Sequence, residues 1–192
     1  GAYLDTTGLG KFFIDLANAI AGWARGGPAK VAVLSSGLMG TVSGSSVANV
    51  VGTGSFTIPM MKKLGYKPEF AGAVEATASM GGQIMPPVMG AAAFLMAEFV
   101  GVPYIEVVKA AVIPALLYYI GVWIGVHYEA KKFGLKGTPR DQLPKFGKLF
   151  MEKGHLILPL AIIVYLLVSG YTPMRAALWA IGLTLICSCL RK

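Results

Sequence analysis

The chain has 192 residues, of which 55% are hydrophobic and 14% charged, with 25 glycines, a net charge of +8 and a mean hydropathy of +0.65. A soluble domain typically carries about 25% charged residues, so this composition excludes an ordinary water-soluble globule and suits closely packed membrane helices. The basic residues sit in short clusters between apolar segments and are not interleaved with aromatics along one polar face, which argues against nucleic-acid binding.

In chain order, residues 1–27 read as an amphipathic helix. Leu9, Phe12, Phe13, Leu16, Ile20 and Trp23 recur at helical spacing, but the stretch is too short and too polar to span a bilayer. It is expected to lie in the membrane interface or to end a preceding element. Residues 28–130 form the next unit. Basic clusters flank its first apolar segment, Val31 to Met61: Arg25 to Lys30 on one side, Lys62, Lys63 and Lys67 on the other. The bias of such charges towards the cytoplasm puts both ends on the same side. Thirty-one residues are too few for two full spans of about 20 residues each plus a turn. A re-entrant hairpin fits instead, turning near the polar Ser43 to Asn49 stretch.

Phe70 to Val102 should then cross outward as a broken helix, interrupted by Gly81-Gly82-Gln83 and Pro86-Pro87. After a turn at Gly101-Val102-Pro103, Val107 to Tyr128 should return as a full span. Residues 131–154, with Pro139 and Pro144, read as a cytoplasmic linker, and 155–192 as two further spans, Leu156 to Ser169 and Arg175 to Leu190, joined at Gly170 to Pro173. The chain begins at Gly1 and stops after an apolar run, so it is expected to be a fragment of a longer protein. The fold class is therefore all-α integral membrane: a re-entrant helical hairpin plus a broken transmembrane helix. Unpaired backbone is tolerated at membrane depth only where protein or a water-filled cavity satisfies it, and broken helices are how secondary transporters build midplane sites.

The ordered strings in this region resemble the large membrane subunit of tripartite ATP-independent periplasmic (TRAP) transporters, in the fused-permease branch that works with TAXI-type solute-binding proteins. The strings are Arg25-Gly26-Gly27-Pro28-Ala29-Lys30, Gly40-Thr41-Val42-Ser43-Gly44-Ser45-Ser46-Val47-Ala48-Asn49 and Thr53-Gly54-Ser55-Phe56-Thr57-Ile58-Pro59. They continue in Gly65-Tyr66-Lys67-Pro68-Glu69-Phe70, Ala73-Val74-Glu75-Ala76 and Gly81-Gly82-Gln83-Ile84-Met85-Pro86-Pro87-Val88-Met89-Gly90. The match covers roughly Gly8 to Gly137, and the tail resembles the lead-in to a second repeat. The resemblance implies that the chain is one half of an inverted-repeat, elevator-type transporter, a sodium-coupled importer of small organic acids such as C4-dicarboxylates, 2-oxo acids or glutamate-like compounds. It further implies a periplasmic TAXI-type binding protein as partner and a multi-pass location in the cytoplasmic (inner) membrane of a prokaryote. The second hairpin would lie outside this chain, so the piece alone is not expected to transport.

Sodium binds through several oxygens, and neutral ones suffice. A Ser- and Gly-rich turn offers hydroxyls and unwound carbonyls, so Ser43, Gly44, Ser45, Ser46 and Asn49 are the first-choice ion or substrate site, with Ser43, Ser45 and Asn49 as sodium ligands. The same small residues would also serve simple close packing. Gly82, Gln83, Pro86 and Pro87 complement them: the prolines lack amide hydrogens and free upstream carbonyls, and Gln83 can donate to a substrate carboxylate or orient the site. A plain proline kink is the alternative. Glu75, five residues into an apolar stretch, is a candidate gating or coupling residue, expected near the cytoplasmic end within reach of water or a lysine. Cys187 and Cys189 fall on different helix faces, and His127 and His155 stand alone, so no metal cluster is expected beyond the coupling ion and no cofactor is needed. No nucleophile–base constellation is assembled, so the chain does not read as an enzyme. A receptor-independent, ion-coupled carrier with similar broken helices is the competing function.

Overall fold

A computed structural model describes residues 8–135, 137–139, 143–144, 146–154, 158–171, 174–176 and 178–182. Among these residues the secondary structure is helical, with no strand. The elements are α1 (Leu9–Ala21), α2 (Gly27–Ser43), α3 (Ser46–Lys63), α4 (Pro68–Met80), a single 3-10 turn (Gly81–Gln83), α5 (Ala91–Val100), α6 (Tyr104–Lys132), α7 (Phe146–Lys153) and α8 (Leu158–Val168). Residues 174–176 and 178–182 are also helical.

The hairpin α2–α3 is the centre of the molecule. Pro28 opens α2 within its first turn, where a missing amide hydrogen costs nothing, and Gly44 at φ 59° closes it. Ser45 takes an extended conformation and caps α3 by accepting a hydrogen bond from the Ala48 amide at 3.3 Å. The turn is therefore two residues, Gly44 and Ser45, inside the expected Ser43 to Asn49 window. The arms run beyond the expected 31–61 bounds, to Gly27 and Lys63. At 17 and 18 residues each arm is about 26 Å long, short of a bilayer core of about 30 Å.

Most of α2 is buried, because α1, α3, α4 and α6 all pack against it. Its small residues make this possible: Ala29, Ala32, Ser35, Ser36 and Gly40 let neighbours approach from several sides. Ala29, Ala32 and Val33 join Met61, Tyr66, Ala71, Val74, Ala78 and Val126 in the largest apolar cluster.

The expected broken helix is present as α4, the 3-10 turn, an irregular stretch from 84 to 90 and then α5. Its first half starts at Pro68. The Pro86–Pro87 peptide bond is cis. The span expected over 107–128 extends from Tyr104 to Lys132; its 29 residues measure about 43 Å, enough to cross a membrane. Ile113, Leu116, Leu117, Ile120 and Ile124 leave it with an exposed apolar face.

Two elements differ from their sequence reading. The stripe of α1 is not left for a membrane surface: Leu9, Phe12 and Phe13 are buried with Met39 and Val42 of α2 and Leu149 of α7, and only Ile20 and Trp23 remain exposed. The reason is that α2 offers an apolar groove that water would otherwise fill. The linker, in turn, contains helix α7, and it is tied down by a 2.8 Å hydrogen bond from the Thr138 amide to the Gly22 carbonyl. Cys187, Cys189, His155 and most of the last expected span lie outside the described residues.

Candidate functional site

The hairpin tip and the break in the second helix meet. A Cβ at Gly44 would strike the Met89 carbonyl, and one at Gly40 would lie 2.5 Å from Gly82 Cα. Backbones this close admit only glycine at both crossings, since even a methyl group would push the segments apart. The amide of Gln83 donates from Nε2 to Ser46 Oγ at 2.8 Å, joining the break to the first turn of α3. The Gly90 amide donates to the Gln83 carbonyl at 2.7 Å and closes the irregular stretch into a loop. Of the sequence-predicted residues, Gly44, Ser46, Gly82 and Gln83 thus meet across one junction, with Ser43 and Ser45 in the hairpin turn and Pro86 and Pro87 in the irregular stretch. Ser43 Oγ lies 3.5 Å from both the Ser45 amide and its carbonyl, a long contact that leaves it poorly engaged. Gln83, expected to donate to a substrate carboxylate or to orient the site, donates to Ser46.

Asn49 takes a different place. It is fully buried below the tip, where its amide donates to the Ser36 carbonyl at 2.8 Å, and it stands beside Gly82, whose Cβ would come within 3.0 Å of Asn49 Nδ2. It braces α2, α3 and the break at one point.

The carbonyls freed around the break do not all face the hairpin. Tyr104 Oη donates within reach of both the Val88 carbonyl (2.7 Å) and the Pro87 carbonyl (3.0 Å). At the other side of the break, Tyr118 donates to the Thr77 carbonyl at 2.7 Å and Tyr119 to the Ala78 carbonyl at 2.9 Å. Helix α6 therefore satisfies backbone acceptors that a low-dielectric surrounding would penalise. These tyrosines escaped the sequence reading because their partners are main-chain atoms about 41 residues away or at a break of unknown shape.

Glu75 corrects an expectation. Far from reaching water or a lysine, it has no exposed surface and accepts four side-chain hydroxyls. Ser36 (2.8 Å), Thr53 (2.5 Å) and Ser79 (3.1 Å) donate to Oε1, and Thr57 (2.5 Å) donates to Oε2. The donors come from α2, α3 and α4, so one carboxyl group joins three helices. The signal was legible: Asn49, Thr53 and Thr57 fall at i, i+4, i+8 on one face of α3, and Glu75 and Ser79 at i, i+4 on α4. Lys30, taken with the cytoplasmic cluster, is likewise buried; its Nζ lies 3.1 Å from His127 Nδ1 and over the Trp123 ring.

A protein-family model, "Tripartite ATP-independent periplasmic transporter, DctM component", matches residues 1–192. Curated relatives include the C4-dicarboxylate TRAP transporter large permease protein DctM of Pseudomonas aeruginosa, 32% identical over 178 residues, covering 92% of this chain and 41% of that protein. A putative TRAP transporter large permease protein of Haemophilus influenzae is 30% identical over 192 residues, covering 98% and 44%. The sialic acid TRAP transporter large permease protein SiaM of Vibrio cholerae is 25% identical over 181 residues, covering 92% and 41%. The chain spans less than half the length of each of these relatives.

Proposed function

The chain belongs to the DctM family of TRAP transporter large permeases, and we propose that it forms the first-repeat hairpin and broken helix of a sodium-coupled importer of small organic acids that works with a TAXI-type solute-binding protein. It is a transport protein and not an enzyme. The observation that carries the proposal is the junction at Gly44 and Met89, where a Ser-lined hairpin turn docks on an unwound segment. Such a junction presents hydroxyls and main-chain dipoles without fixed charge, which suits a weakly held monovalent cation and a substrate carboxylate beside it. Ser43 and Ser45 are the sodium ligands of this reading, and Asn49 holds the helices that aim them. The hairpin enters and leaves on the cytoplasmic side of an inner membrane, and the remaining repeat supplies the other half of the site. An elevator-like movement of this unit would carry ion and solute together.

The test is uptake into proteoliposomes by the complete permease with its binding protein, using labelled succinate, 2-oxoglutarate and glutamate, with and without an inward sodium gradient. Uptake of one of these that needs both sodium and the receptor, and is lost in Ser45→Ala and Pro87→Ala, supports the reading. Sodium-driven uptake undiminished without the receptor replaces it with a receptor-independent carrier.

A further inference from the structure

The carboxyl of Glu75 has no role in the tip site, yet its surroundings are organised around it. Four hydroxyls converge on two carboxylate oxygens, and among the described residues no ion pair involves it. A lone buried carboxyl group is costly in a membrane protein and marks function by default. The hydroxyls also carry a second feature. Each has a single hydrogen, and three of the four have another acceptor in reach: Thr57 Oγ1 lies 3.1 Å from the Thr53 carbonyl, Thr53 Oγ1 lies 2.8 Å from the Asn49 carbonyl, and Ser36 Oγ lies 3.0 Å from Thr53 Oγ1.

We propose that Glu75 is a proton-binding site, separate from the hairpin tip, whose hydroxyl cage is satisfied whether the carboxyl group is charged or neutral. With the carboxylate charged, all four hydroxyls donate to it. When one proton arrives, an O–H bond forms at Oε2 and donates to Thr57 Oγ1. The Thr57 hydrogen swings from Oε2 to the Thr53 carbonyl, the Ser36 hydrogen turns to Thr53 Oγ1, and Thr53 and Ser79 keep the two lone pairs of Oε1. Two rotors turn and no polar group is stranded, which is the condition for a buried group to change state cheaply.

The neighbouring elements bring little competing charge. On α2 the ionisable side chain is Lys30, which is engaged with His127 and Trp123. On α3 they are Lys62 and Lys63, exposed at its far end, and on α4 Glu69, exposed in its first turn. Helix α6 presents Tyr118 and Tyr119, bound to the carbonyls of Thr77 and Ala78, and His127. With Glu75 wholly enclosed by α2, α3 and α4, a proton exchanges with water only when those helices part, so occupancy is tied to conformation. That last step rests on the transport reading; the binding site itself does not.

The experiment is an infrared titration of the complete permease in lipid from about pH 9 to about pH 4. A carboxylic C=O band should grow in on acidification, be missing in Glu75→Gln and persist in Glu69→Gln. In Thr57→Val it should move to higher frequency, because one hydrogen bond to the group is gone, and Thr57→Ser should restore it. Glu75→Gln is isosteric with the protonated acid, and circular dichroism confirms that it folds. Difference spectra identical in wild type and Glu75→Gln would overturn the proposal, as would a band unmoved by Thr57→Val. Because the readout is the proton and not uptake, failure here leaves sodium coupling standing, and failure of sodium coupling leaves this site standing.

Discussion

Replacing Gly40 by Ala tests the close crossing on which the site depends. The added Cβ would lie 2.5 Å from Gly82 Cα, with Gly82 N and Met85 Cβ at 3.5 Å. The obstacle is backbone, not the end of a flexible side chain, so α2 and the 3-10 turn must separate by about 1 Å to reach ordinary contact. Overpacking of this kind costs about 1–3 kcal/mol, offset by roughly 1 kcal/mol from the better helix propensity of Ala. The net expectation is a loss of up to about 2 kcal/mol, accompanied by a disturbed Asn49 brace and loss of uptake. Gly72 in the middle of α4 is the control: nothing lies within 4 Å of its Cβ position, so Gly72→Ala should gain up to about 1 kcal/mol and leave uptake intact. Thermal unfolding of the two variants in detergent reads the difference. A Gly40→Ala protein that melts at or above wild type would refute the argument that backbone contact sets this position.

Gly44→Ala should be more severe still, combining an unfavourable φ of 59° with a clash against the Met89 carbonyl; uptake is expected to fall at least tenfold while helix content is kept, and unchanged uptake would dissociate the tip from the site. Tyr119→Phe strands the Ala78 carbonyl and should cost about 1–2 kcal/mol in unfolding free energy, against near zero for Tyr165→Phe on exposed surface. Tyr66, in the turn between α3 and α4, has a buried hydroxyl with no hydrogen-bond partner among the described residues, and burial pushes its pKa up to about 12. Its folded form holds the proton more tightly than the unfolded chain, so stability should be full below about pH 10 and decline as pH rises towards 12. Tyr66→Phe should flatten that alkaline slope in a melting series without loss of stability at neutral pH.

The hairpin and the break were legible because they are local: a Gly-Ser turn ends one helix and caps the next, and Gly81-Gly82 with Pro86-Pro87 cannot continue a third. Their meeting was legible only through the resemblance, since nothing in the spacing says that Gly40 faces Gly82. Asn49 and Glu75 were singled out as polar residues in apolar company, but their surroundings were misjudged. The positive-inside argument places Glu75 along the membrane normal and is silent on whether it faces water or a neighbouring helix. The periodicity of Thr53, Thr57 and Ser79 would have pointed inward. The burial of α1 depended on α7, a short helix inside a stretch whose prolines and charges read as a linker.

The three tyrosines of α6 have a mechanical consequence. Tyr104 holds one side of the fracture and Tyr118 with Tyr119 the other, about 21 Å apart along a single unbroken rod. A fracture splinted in this way cannot open like a joint, because lengthening it would tear bonds at both ends of the rod. Residues 68–132 should therefore travel as one stiff piece, with the bending confined to the turn at 64–67. A pair of spin labels placed across the break should hold its distance through the working cycle, whereas a pair spanning that turn should not.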